Sequence, residues 1–161
     1  MKMIILSLLL VSSVAGAHSR LKPSTGINTR STDPGVKTGP CGGYAKVTPA
    51  VLTSGQTLTV TWEETIHHPG RFEFYFSPAG EANFQLLKTV ENTQNDNNVP
   101  HQYSTTVTLP NVTCDGCTFQ MIQVMTENPA APTNYYSCAD MQLKAAGTAT
   151  PAPTATPVAC P

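Results

Sequence analysis

Two groups of histidine stand where they could hold a metal ion: His18, close to the N-terminus, and the pair within Thr65-Ile66-His67-His68-Pro69-Gly70. His18 gains its chemistry from what precedes it. Met1 to Ala17 reads as a secretory signal peptide, with Lys2 as the positive start, Met3 to Val11 as the apolar run and Ala15-Gly16-Ala17 as the small-residue cleavage site. A cut after Ala17 makes His18 the first residue of the mature chain. Its α-amine, with a pKa of about 7.7–8.0, then loses its proton near neutrality and can chelate together with the imidazole Nδ1 of the same residue. Adjacent residues of a strand point to opposite faces. Only one of His67 and His68 is therefore expected to serve such a metal, the other turning to solvent or core. Taken alone, the pair reads more readily as two surface histidines on a turn. A third candidate, Asn134-Tyr135-Tyr136-Ser137-Cys138-Ala139-Asp140, joins two tyrosines to a cysteine-bearing strand. Its two rings also fit ordinary core and rim packing.

The elements that must position these residues alternate with period two. Thr57–Trp62, Arg71–Phe76, Tyr103–Leu109, Thr118–Met125 and Ala139–Leu143 read as strands. Turn signals separate them, including Ser54-Gly55, Pro69-Gly70, Asn95-Asp96-Asn97-Asn98 and Asp115-Gly116. Short strands at this spacing predict an all-β immunoglobulin or fibronectin III-like β-sandwich with long loops, and no long helix after the leader. Trp62 closes an alternating strand and is expected in the core. The neighbouring Glu63 and Glu64 point apart, which excludes a glycosidase pair across a sugar. Residues 19–46, rich in proline and glycine, read as a loop held by Cys41 rather than as strands. The domain is expected over 18–144, followed by a disordered Ala/Thr/Pro-rich tail over 145–161 that cannot bury a core.

Composition narrows the function. The 161 residues carry a formal charge of −1, with only 12% charged, which is not the basic footprint of a nucleic-acid binder. No apolar run reaches the roughly 18–20 residues of a spanning helix, so no membrane partner is expected. Export favours disulfides among the five cysteines. Cys41, Cys114, Cys117 and Cys138 allow three pairings between which the sequence does not choose, Cys41 being expected to tie its loop to a core cysteine. Cys114-x-x-Cys117 lacks a thioredoxin-like context and a second such pair, so a structural disulfide is expected. Cys160 is left over. Asn111-Val112-Thr113 is a glycosylation sequon where the host performs that modification.

Taken together, the motifs resemble the lytic polysaccharide monooxygenases and the related chitin-binding domains that begin with histidine. The likeness runs in order through His18, Thr61-Trp62, Thr65-x-x-His68-x-Gly70-x-Phe72-Glu73-Phe74, Leu109-Pro110-x-x-Thr113-Cys114-x-x-Cys117-x-x-Gln120 and Tyr135-x-x-Cys138-Ala139-Asp140. It implies a histidine brace, one copper ion held by the His18 amine, the His18 imidazole and the imidazole of His68. It further implies Tyr135 at the axial position and Gln120 as an amide near the bound oxidant. Three nitrogens suit copper and leave positions open for dioxygen or peroxide, although zinc can use the same donors. The implied activity is oxidative cleavage of a β-linked polysaccharide, chitin or cellulose, at C1 or C4 by a secreted monomer fed by an external electron donor. The other implied reading is a copper- or carbohydrate-binding protein without turnover. Ile66 and His67 depart from the alanine and asparagine that the animal-type enzymes commonly carry. The short chain leaves little for a substrate face, to which the loop from Asn92 to His101 is expected to contribute His101 and Tyr103.

Overall fold

The computed structural model describes residues 18–23 and 26–147. Residues 1–17, expected as a leader, and 148–161, expected as a tail and including Cys160, lie outside the described residues. The strands are β1 (Ser19–Leu21), β2 (Asn28–Thr29), β3 (Ala50–Thr53), β4 (Thr57–Glu64), β5 (Gly70–Ser77), β6 (Gln85–Glu91), β7 (His101–Thr108), β8 (Cys114–Met125) and β9 (Thr133–Lys144). They form two sheets, β1-β4-β7 and β2-β9-β8-β5-β6, with β3 added in parallel on β9. The all-β sandwich read from the alternation is the fold observed. The five strands read from the sequence are all present, although β9 begins at Thr133, earlier than its apolar pattern indicates. The segment 19–46 is not all loop. It contributes β1, which pairs with β4, and β2, which pairs with β9.

Period two explains the core. Along β4, Leu58, Val60 and Trp62 point inward, and from the opposite sheet come Phe72, Phe74, Phe76, Phe119, Met121, Met141 and Leu143. Trp62 is fully buried. Its ring stacks on Tyr103 at 5.2 Å and meets Phe72 and Phe74 edge-on. The same alternation carries Glu64 onto the inward face, where it is completely buried, while Glu63 faces outward to Arg20 and Lys22. The two carboxylates do point apart.

The outer face of the larger sheet is covered by the loop from Arg30 to Val47. Cys41 is bonded to Cys138 of β9 and Cys114 to Cys117 within β8. The Arg30 guanidinium forks onto both oxygens of Asp140, donating from Nε at 3.0 Å and from Nη2 at 2.7 Å, and also reaches Thr118 and Glu81. Val47 donates its backbone N–H to the same carboxylate at 2.8 Å. One buried ion pair therefore holds both ends of the covering loop.

Candidate metal centre

One end of the sandwich gathers residues distant in sequence. The β1–β4 register pairs Ser19 with Glu64, so the residue before β1 arrives beside the residue after β4. The Thr65 N–H donates to the His18 carbonyl at 2.8 Å. His67 and His68 follow in the β4–β5 loop, not in a strand. Gly70 closes this loop with φ 145°, and a Cβ there would lie 2.0 Å from the Val124 carbonyl oxygen. Only glycine lets β5 start this close to β8. The β8–β9 register then brings Tyr135 to the same end, opposite Gln123.

The rings of His18 and His68 lie 4.9 Å apart and almost parallel, at 3°. The His18 ring also stacks on Tyr135 at 3.4 Å. Tyr135 is buried, with the Lys37 ammonium 5.2 Å from its ring centre. His18 Nδ1 and His68 Nε2 are both buried and without a hydrogen-bond partner. Buried polar nitrogens in native folds are almost always satisfied, and two of them on neighbouring parallel rings are placed where one ligand could serve both. Burial, then the positive potential of His68 and Lys37, pushes the His18 imidazole down to about 4, against a smaller opposing pull from Glu127. His18 is thus neutral near neutral pH and offers one ring-nitrogen lone pair.

The other nitrogen of His68, Nδ1, is hydrogen-bonded to the Glu127 carboxylate. With the proton on Nδ1, the Nε2 lone pair is left for a metal, the arrangement by which an outer carboxylate orients a ligating imidazole. Burial raises the Glu127 carboxyl, but its own backbone N–H and the His68 ring outweigh this and hold it below the usual glutamate value.

Two expectations resolve differently, that for Gln120 and that for His101 with Tyr103. Gln120 is not brought to this group: strand alternation puts it and Tyr135 on opposite faces of the larger sheet, and its amide donates to the Pro40 carbonyl at 2.6 Å. The amide on the Tyr135 face is Gln123, whose Nε2 donates to Glu64 Oε1 at 2.9 Å. His67 turns away from His68 toward Glu64 and His101. His101 and Tyr103 do not form an exposed face. His101 is buried opposite Glu64, and Tyr103 packs on Trp62, because β7 begins at His101 and pairs along all of β4. Sequence reasoning missed Glu64, Gln123 and Glu127. Alternation from Trp62 could have found Glu64, whereas Glu127 lies two residues past the end of β8 and carries no local signal.

The profile of a family described as lytic polysaccharide mono-oxygenase, cellulose-degrading, matches residues 15–141. No curated protein sequence matches the chain. Among solved structures it is similar to a cellulose-active polysaccharide monooxygenase from M. thermophila, at 17% identity and TM-score 0.52 over 81% of this chain and 68% of that one. An AA10 lytic polysaccharide monooxygenase from Streptomyces lividans aligns at 14% identity and TM-score 0.50, over 79% of this chain and 83% of that one. A cellulose-active enzyme solved in complex with copper aligns at 23% identity and TM-score 0.47 over 64% of this chain, which spans 55% of that enzyme's length. At these identities the structures speak to fold alone.

Proposed function

We propose that this chain, which belongs to the lytic polysaccharide mono-oxygenase family, is a secreted copper protein that oxidises a β-linked polysaccharide, chitin or cellulose. The observation that carries this reading is the pair of unpartnered buried nitrogens on the parallel rings of His18 and His68. Removal of residues 1–17 would add the His18 amine as a third nitrogen. A set of three nitrogens fits copper in either oxidation state. Bound copper, reduced by an external donor, would supply the oxidising chemistry toward a C–H bond of the sugar. The protein's own groups have separate tasks. Glu127 holds the His68 proton at Nδ1. The Tyr135 ring covers one side of the His18 imidazole and keeps water from it. Ile66, half exposed in the same loop as His68, offers apolar contact to a sugar ring.

The Glu127 role gives a measurable effect. Glu127→Ala is expected to weaken copper binding about tenfold, the low end for an outer-shell partner because this carboxylate is partly exposed. Competition with a copper chelator measures it, and an unchanged affinity would remove Glu127 from the site.

The deciding assay uses mature protein beginning at His18, loaded with one equivalent of copper. It is incubated with chitin or cellulose, a reductant and peroxide, and the soluble products are analysed by mass spectrometry. Oxidised oligosaccharides are expected, together with loss of both these products and the native Cu(II) resonance spectrum in His68→Ala. An unchanged spectrum in that variant rejects His68 as ligand. A native copper spectrum without oxidised sugars supports the second reading, a copper- or carbohydrate-binding protein without turnover. Short connections favour that reading: residues 65–69 and 126–132 are all that join β4 to β5 and β8 to β9 beside the metal centre.

A further inference from the structure

Next to the His18 and His68 rings lies a second group that the copper reading leaves without a task. Alternation along β4 drives the Glu64 carboxylate into the core end, and the β4–β7 register sets His101 directly opposite it. The turn after β4 adds His67. His101 Nδ1 is 3.0 Å and His67 Nδ1 3.5 Å from the same oxygen, Glu64 Oε2. Ligand atoms of the three residues all lie within 4.8 Å of one another. Donors bound at 2.0–2.1 Å around a tetrahedral ion stand about 3.3–3.5 Å apart, so the spacing already approaches that of a filled site.

The hydrogen bonds around the group fix its carboxylate and aim one oxygen at the two imidazoles. Glu64 Oε1 accepts from the His68 backbone N–H at 3.1 Å, from Asn92 Nδ2 at 2.7 Å and from Gln123 Nε2 at 2.9 Å. That oxygen is saturated and the carboxylate plane is fixed, leaving Oε2 with the two imidazoles and a 3.3 Å contact from the Tyr103 hydroxyl. His101 Nε2 stands 3.0 Å from Asp96 Oδ1. His101 Nδ1 is itself within hydrogen-bond reach of Glu64 Oε2, and with the ring proton held at Nε2 by Asp96 the Nδ1 lone pair faces the place between the two where a cation would sit. The carboxylate–imidazole–ligand order is the one in which metal-bound histidines are held. His67 Nδ1 is buried beside the same oxygen and makes no hydrogen bond.

We propose that Glu64, His67 and His101 form a second metal site, separate from His18 and His68, that takes a borderline divalent ion, zinc. Two imidazoles and a carboxylate are a zinc donor set, with a fourth position left for water. Magnesium and calcium are disfavoured, because they select oxygen donors. The ion takes the place of the proton that His101 Nδ1 otherwise shares with Glu64 Oε2. Because the other oxygen of Glu64 holds the His68 backbone, zinc also stiffens the loop that carries the copper ligand. The site does not depend on polysaccharide oxidation or on how the first metal reacts.

The test uses mature protein whose first site is filled with one equivalent of copper. Zinc is titrated by calorimetry, and both metals are counted by elemental analysis after desalting. One zinc per chain is expected beside the copper. Asp96→Asn, at a largely exposed position, is expected to weaken zinc about tenfold or more. His67→Ala is expected to abolish the stoichiometric zinc while leaving the Cu(II) resonance spectrum native. His68→Ala is expected to do the reverse, losing copper and keeping zinc. Circular dichroism melts establish that each variant is folded. Absence of zinc beside copper overturns the proposal and assigns the charge inside the group to a proton on His101. Zinc uptake that survives unchanged in both folded Asp96→Asn and His67→Ala overturns it as well.

Discussion

A chain that begins at His18 is expected to bind Cu(II) at least about 10–100-fold more tightly than the same chain with one extra alanine ahead of it, since losing a ligand costs no less than losing an outer-shell partner. The described side chains bring two imidazoles to the site, His18 and His68. A third nitrogen is available only as a free α-amine. An amide nitrogen at that place is a poor donor near neutral pH, whereas the amine titrates there. The comparison requires two proteins, one cut directly before His18 and one retaining Ala17, with affinities from chelator competition and donor sets from Cu(II) resonance. The extended form is expected to show the weaker, altered signature of two imidazoles. Equal affinities and identical spectra would show that the amine is not a ligand, and would remove the brace with it.

The second large effect lies away from the paired histidines. Arg30→Ala is expected to cost about 3–5 kcal/mol, the range for removing one partner of a buried ion pair. The Arg30 and Asp140 side chains are only 1% and 5% exposed, so the deletion leaves a buried carboxylate with the Val47 N–H and little else. The loss comes mainly from that uncompensated charge. Replacing both partners, Arg30→Met with Asp140→Leu, is therefore expected to recover much of the stability. Urea unfolding of the three proteins measures both steps. A single variant within 1 kcal/mol of the native chain would mean that water reaches the carboxylate, contrary to its burial.

How much of this was legible beforehand depended on the range over which each feature is determined. Thr57–Trp62 and Arg71–Phe76 show their strands because one face is core and the other is not, and that contrast is local. Gln85–Glu91 does not, since β6 is an edge strand with both faces partly open and no sharp alternation results. The strands β1, β2 and β3 are two to four residues long and owe their form to partners across the chain. The site divides in the same way. His18 and His68 could be named from a cleavage site and a motif, and Tyr135 from its spacing to Asp140. Placing the nearby amide needed the strand register, which decides that Gln123 and not Gln120 shares a face with Tyr135. His101 followed an Asn-rich turn and looked exposed. Its burial comes from pairing with Glu64, thirty-seven positions earlier. Glu127 meets His68 across a still longer gap of 59 positions. Such contacts are properties of the assembled sandwich.

The direction of β9 sets what can be attached to this protein and where. The strand starts at Thr133 beside the metal centre and runs twelve residues to Lys144, which lies next to Thr53 at the opposite pole. At about 3.4 Å per residue the two poles are roughly 37 Å apart. A purification tag, a surface tether or a second module fused after Lys144 therefore departs from the far side and leaves the histidines open to a large insoluble partner. The same addition ahead of His18 would sit on the site itself and cap its amine.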